Sequence, residues 1–203
     1  MTQKNTISVL VLVFLICTYL YGTSNLSAKS NQATVPINIT VQGKLVLTDS
    51  VNDNKSGENP TLNVFLKLTP DINNSIVSGN SAIRIRSNLN SWKLTAQRSD
   101  QNNSLVNIDP KDISITFSTQ AGANADPNAG KLVSPFNKTA DLSQISINSP
   151  LDLVIGNSKT SLTRDSQNKN NWFQLTSSYS ISPDFFYEIG EWGTTVSYNL
   201  VSP

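Results

Sequence analysis

Few residues in this chain could carry out chemistry. Glu58, Glu188 and Glu191 are the only glutamates, and the last two stand three apart beside Phe185, Phe186, Tyr187 and Trp192. Paired carboxylates next to aromatic rings are the equipment of glycoside hydrolysis, where one acts as acid and the other as base or nucleophile. Acids at this spacing in a loop are more often simply solvated, so no catalytic residue is expected and the chain reads as a non-enzyme. His is absent and Cys17 is the single cysteine. Ser-His-Asp and Cys-His nucleophile systems, His-ligated metals, thiolate zinc sites and disulfides within the chain are therefore excluded. Residues 52–57 loosely follow the oxygen-ligand-then-glycine spacing of calcium loops. However, Asn52 and Asn63 stand where a hard cation wants carboxylates. Neither a metal nor a cofactor is expected.

Two other groups could recognise a ligand. Arg84 and Arg86 alternate along one strand and would share a face able to take phosphate or carbohydrate, or merely a solvated one. The aromatics Phe185, Phe186, Tyr187 and Trp192 crowd one late turn, where exposed rings would suit sugar stacking or docking to a partner. These four are the binding candidates. Trp92 joins them as an aromatic that opens a strand, with anchoring of the core as its main expected role.

The elements that must position these groups are strands. Apolar and polar residues alternate with period two over 35–41, 62–68, 82–86, 92–96 and 112–118, the pattern of strands with one buried face, and 151–156 reads as a further strand. Residues 173–181 and 192–201 close the series. Asn88, Asn90 and Ser91 supply turn chemistry, so residues 82–97 read as a hairpin. No segment after residue 28 sustains a helical apolar pattern over three turns; short helical turns fit at 110–112 and 140–143. The expected fold is all-β: an antiparallel immunoglobulin-like or Greek-key β-sandwich of about eight strands, with a closed barrel as the alternative.

Ahead of this lies a run of fifteen mostly apolar residues, 7–21, preceded by Lys4 and followed by Gly22, Ser24 and Ala28. That order is the pattern of a secretory signal peptide, and the run is short for a bilayer span. Residues 1–28 are therefore expected to be a signal peptide and 29–203 a single β-sandwich domain, secreted or at the cell surface. No C-terminal membrane anchor is expected. The chain holds 25 Asn, 28 Ser and 18 Thr, about a third of its length, and a formal net charge of +1. A neutral, amide- and hydroxyl-coated surface argues against nucleic acid as a partner. Sequons at Asn38, Asn54, Asn73, Asn102 and Asn137 are as many as such a composition yields by chance.

Trp92-Lys93-Leu94-Thr95 follows Asn90-Ser91, and the chain ends on Thr194-Thr195-Val196-Ser197-Tyr198-Asn199-Leu200-Val201-Ser202-Pro203. This resembles the WxL surface domains of Gram-positive bacteria, which carry a Trp-x-Leu-Thr strand after a polar turn and a second Trp-x-Leu near a terminal proline. Tyr198-Asn199-Leu200 stands where that second motif would be, with tyrosine in place of tryptophan. The resemblance implies an exported β-rich protein attached non-covalently to the cell wall through peptidoglycan. The expected partners are cell-wall polysaccharide, peptidoglycan or other surface proteins. The alternative is a structural subunit of a surface polymer, fimbrial or coat-like, that self-associates by donating residues 29–48 as a strand to a neighbour.

Overall fold

The computed structural model describes residues 39, 42–50, 64, 66–70, 72–73, 75–100, 107–164 and 169–203. The expected signal peptide, the strand at 35–41 apart from Ile39, and the calcium-like loop at 52–63 lie outside the described residues. Residues Val41–Pro203 form one compact unit. Among the described residues, no helix is long and apolar enough to cross a membrane.

Nine strands are described: β1 (Leu45–Asp49), β2 (Val77–Ser87), β3 (Trp92–Asp100), β4 (Ser114–Ala121), β5 (Gly130–Leu132), β6 (Ala140–Asp141), β7 (Leu151–Gly156), β8 (Phe173–Ile181) and β9 (Thr194–Val201). One sheet runs β1-β2-β8-β4-β6 and the other β5-β7-β3-β9, with every pairing antiparallel. The expected antiparallel sandwich is what the chain forms. Its connectivity is distinctive. Among the described strands, only β1 and β2 are consecutive and paired in one sheet; each later connection crosses to the other sheet. The orders β2-β8-β4-β6 and β3-β7-β5 interleave as two Greek keys do in a jelly roll. The likeness to an immunoglobulin domain therefore extends to the two-sheet architecture and not to the order of strands.

Two sequence expectations are corrected here. Residues 82–97 are not a hairpin: β2 pairs with β1 and β8, whereas β3 pairs with β7 and β9. The polar turn between them carries the chain from one sheet to the other. Alternation specifies which face is buried but not which strand is the neighbour. Of the strand expected at 62–68, the described residues Val64 and Leu66–Leu68 belong to no strand. Their apolar side chains still face inward, since Leu66 and Leu68 pack on the core and a β-carbon on Gly79 would meet Val64 at 2.7 Å and Leu66 at 2.9 Å. A short helical turn forms over Pro110–Asp112 as expected, whereas the second lies at Leu142–Gln144, because Ala140–Asp141 are taken into β6.

The core fills the space between the sheets. Ile83 and Ile85 of β2, Ile115 and Phe117 of β4, and Phe173 and Leu175 of β8 face Trp92, Leu94 and Ala96 of β3 and Leu153 and Val154 of β7, all buried. The last two are adjacent in sequence, which a plain strand would not allow. A bulge between Leu94 and Thr95 in the β3–β7 register accommodates the extra residue. Trp92 spans the layers by meeting Phe173 edge to face, at 5.9 Å between ring centroids. Its indole nitrogen donates to the Ser158 carbonyl at 2.8 Å, so the one polar atom of this buried side chain is satisfied.

A second link between the sheets is polar. The Tyr198 hydroxyl of β9 lies 3.0 Å from the Ser177 hydroxyl and 3.2 Å from that of Tyr179, both on β8. Tyr198 keeps part of its side chain exposed, but its hydroxyl end is enclosed. That burial, together with the neighbouring Tyr179, holds its pKa well above the ordinary tyrosine value.

Candidate functional site

The turn between β8 and β9 gathers three of the exposed large apolar side chains; others, such as Ile72, Ile76 and Leu162, stand elsewhere on the chain. β8 ends at Ile181, and buried Pro183 starts the turn against the body of the protein. Asp184 then folds the chain back on itself: its carboxylate accepts from the Phe186 amide at 2.8 Å, and its carbonyl accepts from the Tyr187 amide at 3.3 Å. This is the side-chain-to-backbone turn that aspartate forms readily. Asn107, far away in sequence, clamps the other side. Its amide donates to the Phe186 carbonyl at 2.9 Å, and its side-chain oxygen accepts from the Glu188 amide at 2.9 Å.

Four hydrogen bonds thus fix a short turn whose outer residues have no core to enter. Phe185 and Phe186 are 73% and 72% exposed, and Ile189 is fully exposed. Tyr187 and Trp192 are half-buried and pack on the core from the same turn. The rings of Phe186 and Tyr187 meet edge to face at 6.5 Å. Partial burial, and then the neighbouring Asp112 carboxylate, push the Tyr187 pKa up to about 12. Single exposed apolar residues are ordinary, but three large ones on one hydrogen-bonded turn form a patch.

The five candidate aromatics therefore divide. Phe185 and Phe186 stand exposed, Tyr187 and Trp192 pack on the core with Tyr187 meeting the Phe186 ring, and Trp92 lies fully buried between the sheets, with no surface to offer a partner. Sequence reading missed two contributors. Ile189 could have been noticed, because an isoleucine enclosed by Glu188, Gly190 and Glu191 has no alternating strand to bury it. Asn107 carries no local signal, since its role depends on a partner some eighty residues away.

The remaining candidates are accounted for elsewhere. Glu188 and Glu191 are both exposed, and neither lines the open cleft of about 510 Å³ formed by Gln97, Arg98, Ser99, Asp100, Ile147 and Ser197. In that cleft, buried Arg98 pairs with Asp100 and also donates to the Ile145 carbonyl at 3.3 Å. Arg84 and Arg86 lie on the outer face of the first sheet and are held within the chain. Arg84 stacks on Trp172 at 4.1 Å and donates to Gln174 at 3.1 Å. Arg86 donates to Asn171 at 3.0 Å and to the Lys169 carbonyl at 2.7 Å. Asp126 forms a turn, accepting from the Asn128 amide and the Ser158 hydroxyl, each at 2.8 Å. Among the described residues, no group of three or more acidic or thiol side chains is placed to hold a metal ion.

The two tripeptides that carry the resemblance to WxL domains lie side by side. Leu94 of Trp92-Lys93-Leu94 pairs directly with Leu200 of Tyr198-Asn199-Leu200, and Ala96 pairs with Tyr198. No family model, curated protein or solved structure matches the chain.

Proposed function

We propose that this protein is a secreted or cell-surface binding module that associates non-covalently with the bacterial envelope through the turn at 185–192. The observation that carries this reading is the exposure of Phe185, Phe186 and Ile189 on a turn held by Asp184 and Asn107. Leaving three large apolar side chains in water forgoes roughly 1.5–3 kcal/mol of burial for each. Contact with a partner would recover much of that. The signal-like pattern at residues 1–28 supports export, and the neutral Asn-, Ser- and Thr-rich composition suits a surface that works outside the cell.

Co-sedimentation of the purified protein with isolated cell walls tests the proposal. The protein is expected in the pellet, and a protein that stays wholly in the supernatant sinks the reading. The alternative, a polymer subunit donating residues 29–48, has less support. Within that stretch Leu45–Thr48 already pair with Arg84–Ser87 of the same chain, so donating them would cost an existing ladder.

A further inference from the structure

The charges around the exposed turn narrow the class of partner, on the footing of the envelope-binding reading above. From residue 170 to the end the sequence holds Asp184, Glu188 and Glu191 and not one Lys or Arg. The folded chain adds two more carboxylates to the same place. Asp112 lies near enough to Tyr187 for its negative charge to raise the pKa of that hydroxyl. Asp109 caps the short turn at Pro110–Asp112, where it accepts from the Lys111 amide at 2.9 Å. Asn107 ties that segment to Phe186 and Glu188. All five carboxylates are exposed, and within the two segments 107–112 and 182–192 Lys111 is the single base. In a chain whose formal net charge is +1, this is a local acidic rim around three apolar side chains.

We infer that the turn docks onto a cationic protein surface: an apolar pocket bordered by Lys or Arg on another envelope protein. An apolar centre with a charged rim is the usual anatomy of a protein–protein contact. The sign of the rim selects against the other surfaces an envelope offers, because phosphate-bearing polymers and anionic lipids would be repelled by it. A neutral glycan would gain nothing from it.

The test uses the intact protein and three probes: walls retaining their proteins, the same walls after protease treatment, and beads carrying a synthetic amphipathic Lys/Leu peptide. Retention is expected on protein-bearing walls and on the peptide beads. Protease treatment, or salt raised to about 0.5 M, should weaken it by about tenfold. The triple variant D184N/E188Q/E191Q should lose a comparable factor, and F185S/F186S should lose about thirtyfold or more. Equal retention on protease-treated walls, binding to anionic vesicles, or a triple variant that binds the beads like wild type would overturn the inference. The first of these would leave the envelope reading standing. Absence from every wall preparation would instead defeat the envelope reading, and the peptide beads would still decide the charge inference alone.

Discussion

Trp92 and Gly156 are directly paired on β3 and β7, and the indole of the first occupies the space a side chain on the second would need. Gly130, paired with Gly156 on the next strand, extends the slot; a β-carbon there would meet the tip of the indole at 2.7 Å and Val154 at 2.8 Å. Two glycines in one row across three strands thus let the largest buried side chain lie against the sheet. Glycine in a strand interior otherwise weakens it, and close approach of another group is the compensating reason for its presence.

Gly156→Ala should therefore destabilise the fold even though it adds one methyl group to a strand. Overpacking of this kind costs about 1–3 kcal/mol or more, because the β-carbon falls inside a rigid ring rather than at the end of a flexible chain. Urea unfolding followed by tryptophan fluorescence would measure it. A variant as stable as wild type would show that the slot has room to give.

Alkaline stability should reveal the enclosed tyrosines. The pKa values of Tyr198 and Tyr187 are both raised in the folded chain. Their contribution is fully present below the unfolded value near 10 and is lost as pH climbs toward the folded values. Between about pH 10 and 12 the unfolded state sheds protons that the native state keeps, so stability falls with pH. Denaturant midpoints taken across this window should drop for wild type and drop less steeply for Tyr198→Phe. Parallel curves would place the tyrosinate penalty elsewhere.

The exposed rings should contribute little to folding beyond the edge-to-face contact of Phe186 with Tyr187. Phe185→Ser and Phe186→Ser remove side chains that face water, and surface changes of this kind usually stay within about 0.5 kcal/mol. Thermal melts of the double variant should overlay those of wild type. A large fall in melting temperature would mean that the rings pack on the body of the protein.

Asn107→Ala should loosen the turn without unfolding the sandwich, because it removes both clamps at once. A net loss of about 1–2 kcal/mol is expected from two hydrogen bonds. Amide hydrogen exchange should quicken at Glu188, while exchange in β3 and β8 stays slow. Unchanged exchange at Glu188 would show that Asp184 holds the turn unaided.

How far the sequence discloses this arrangement depends on whether the determinant is local. The inward faces of β2, β3, β4 and β8 follow from alternation alone, since Ile83 and Ile85, or Trp92 and Leu94, announce a buried side. The path of the chain does not follow. The polar turn at Asn88–Ser91 looks like a hairpin turn but is a crossing between sheets, and nothing within four residues distinguishes the two. Trp92 and the late aromatics read alike as hydrophobic side chains. One is buried by glycines some forty and sixty residues away, and the others stand exposed because Asp184 and Asn107 bend the chain outward. The candidate turn was legible as a cluster, whereas the split between exposed rings and rings packed on the core was not.

Envelope attachment through this turn is tested most directly by co-sedimenting wild type and F185S/F186S with the same isolated cell walls, with both proteins first shown to melt alike. Wild type should pellet with the walls and the double variant should remain largely in the supernatant. If the two pellet equally, the turn at 185–192 is not the surface that holds this protein to the envelope.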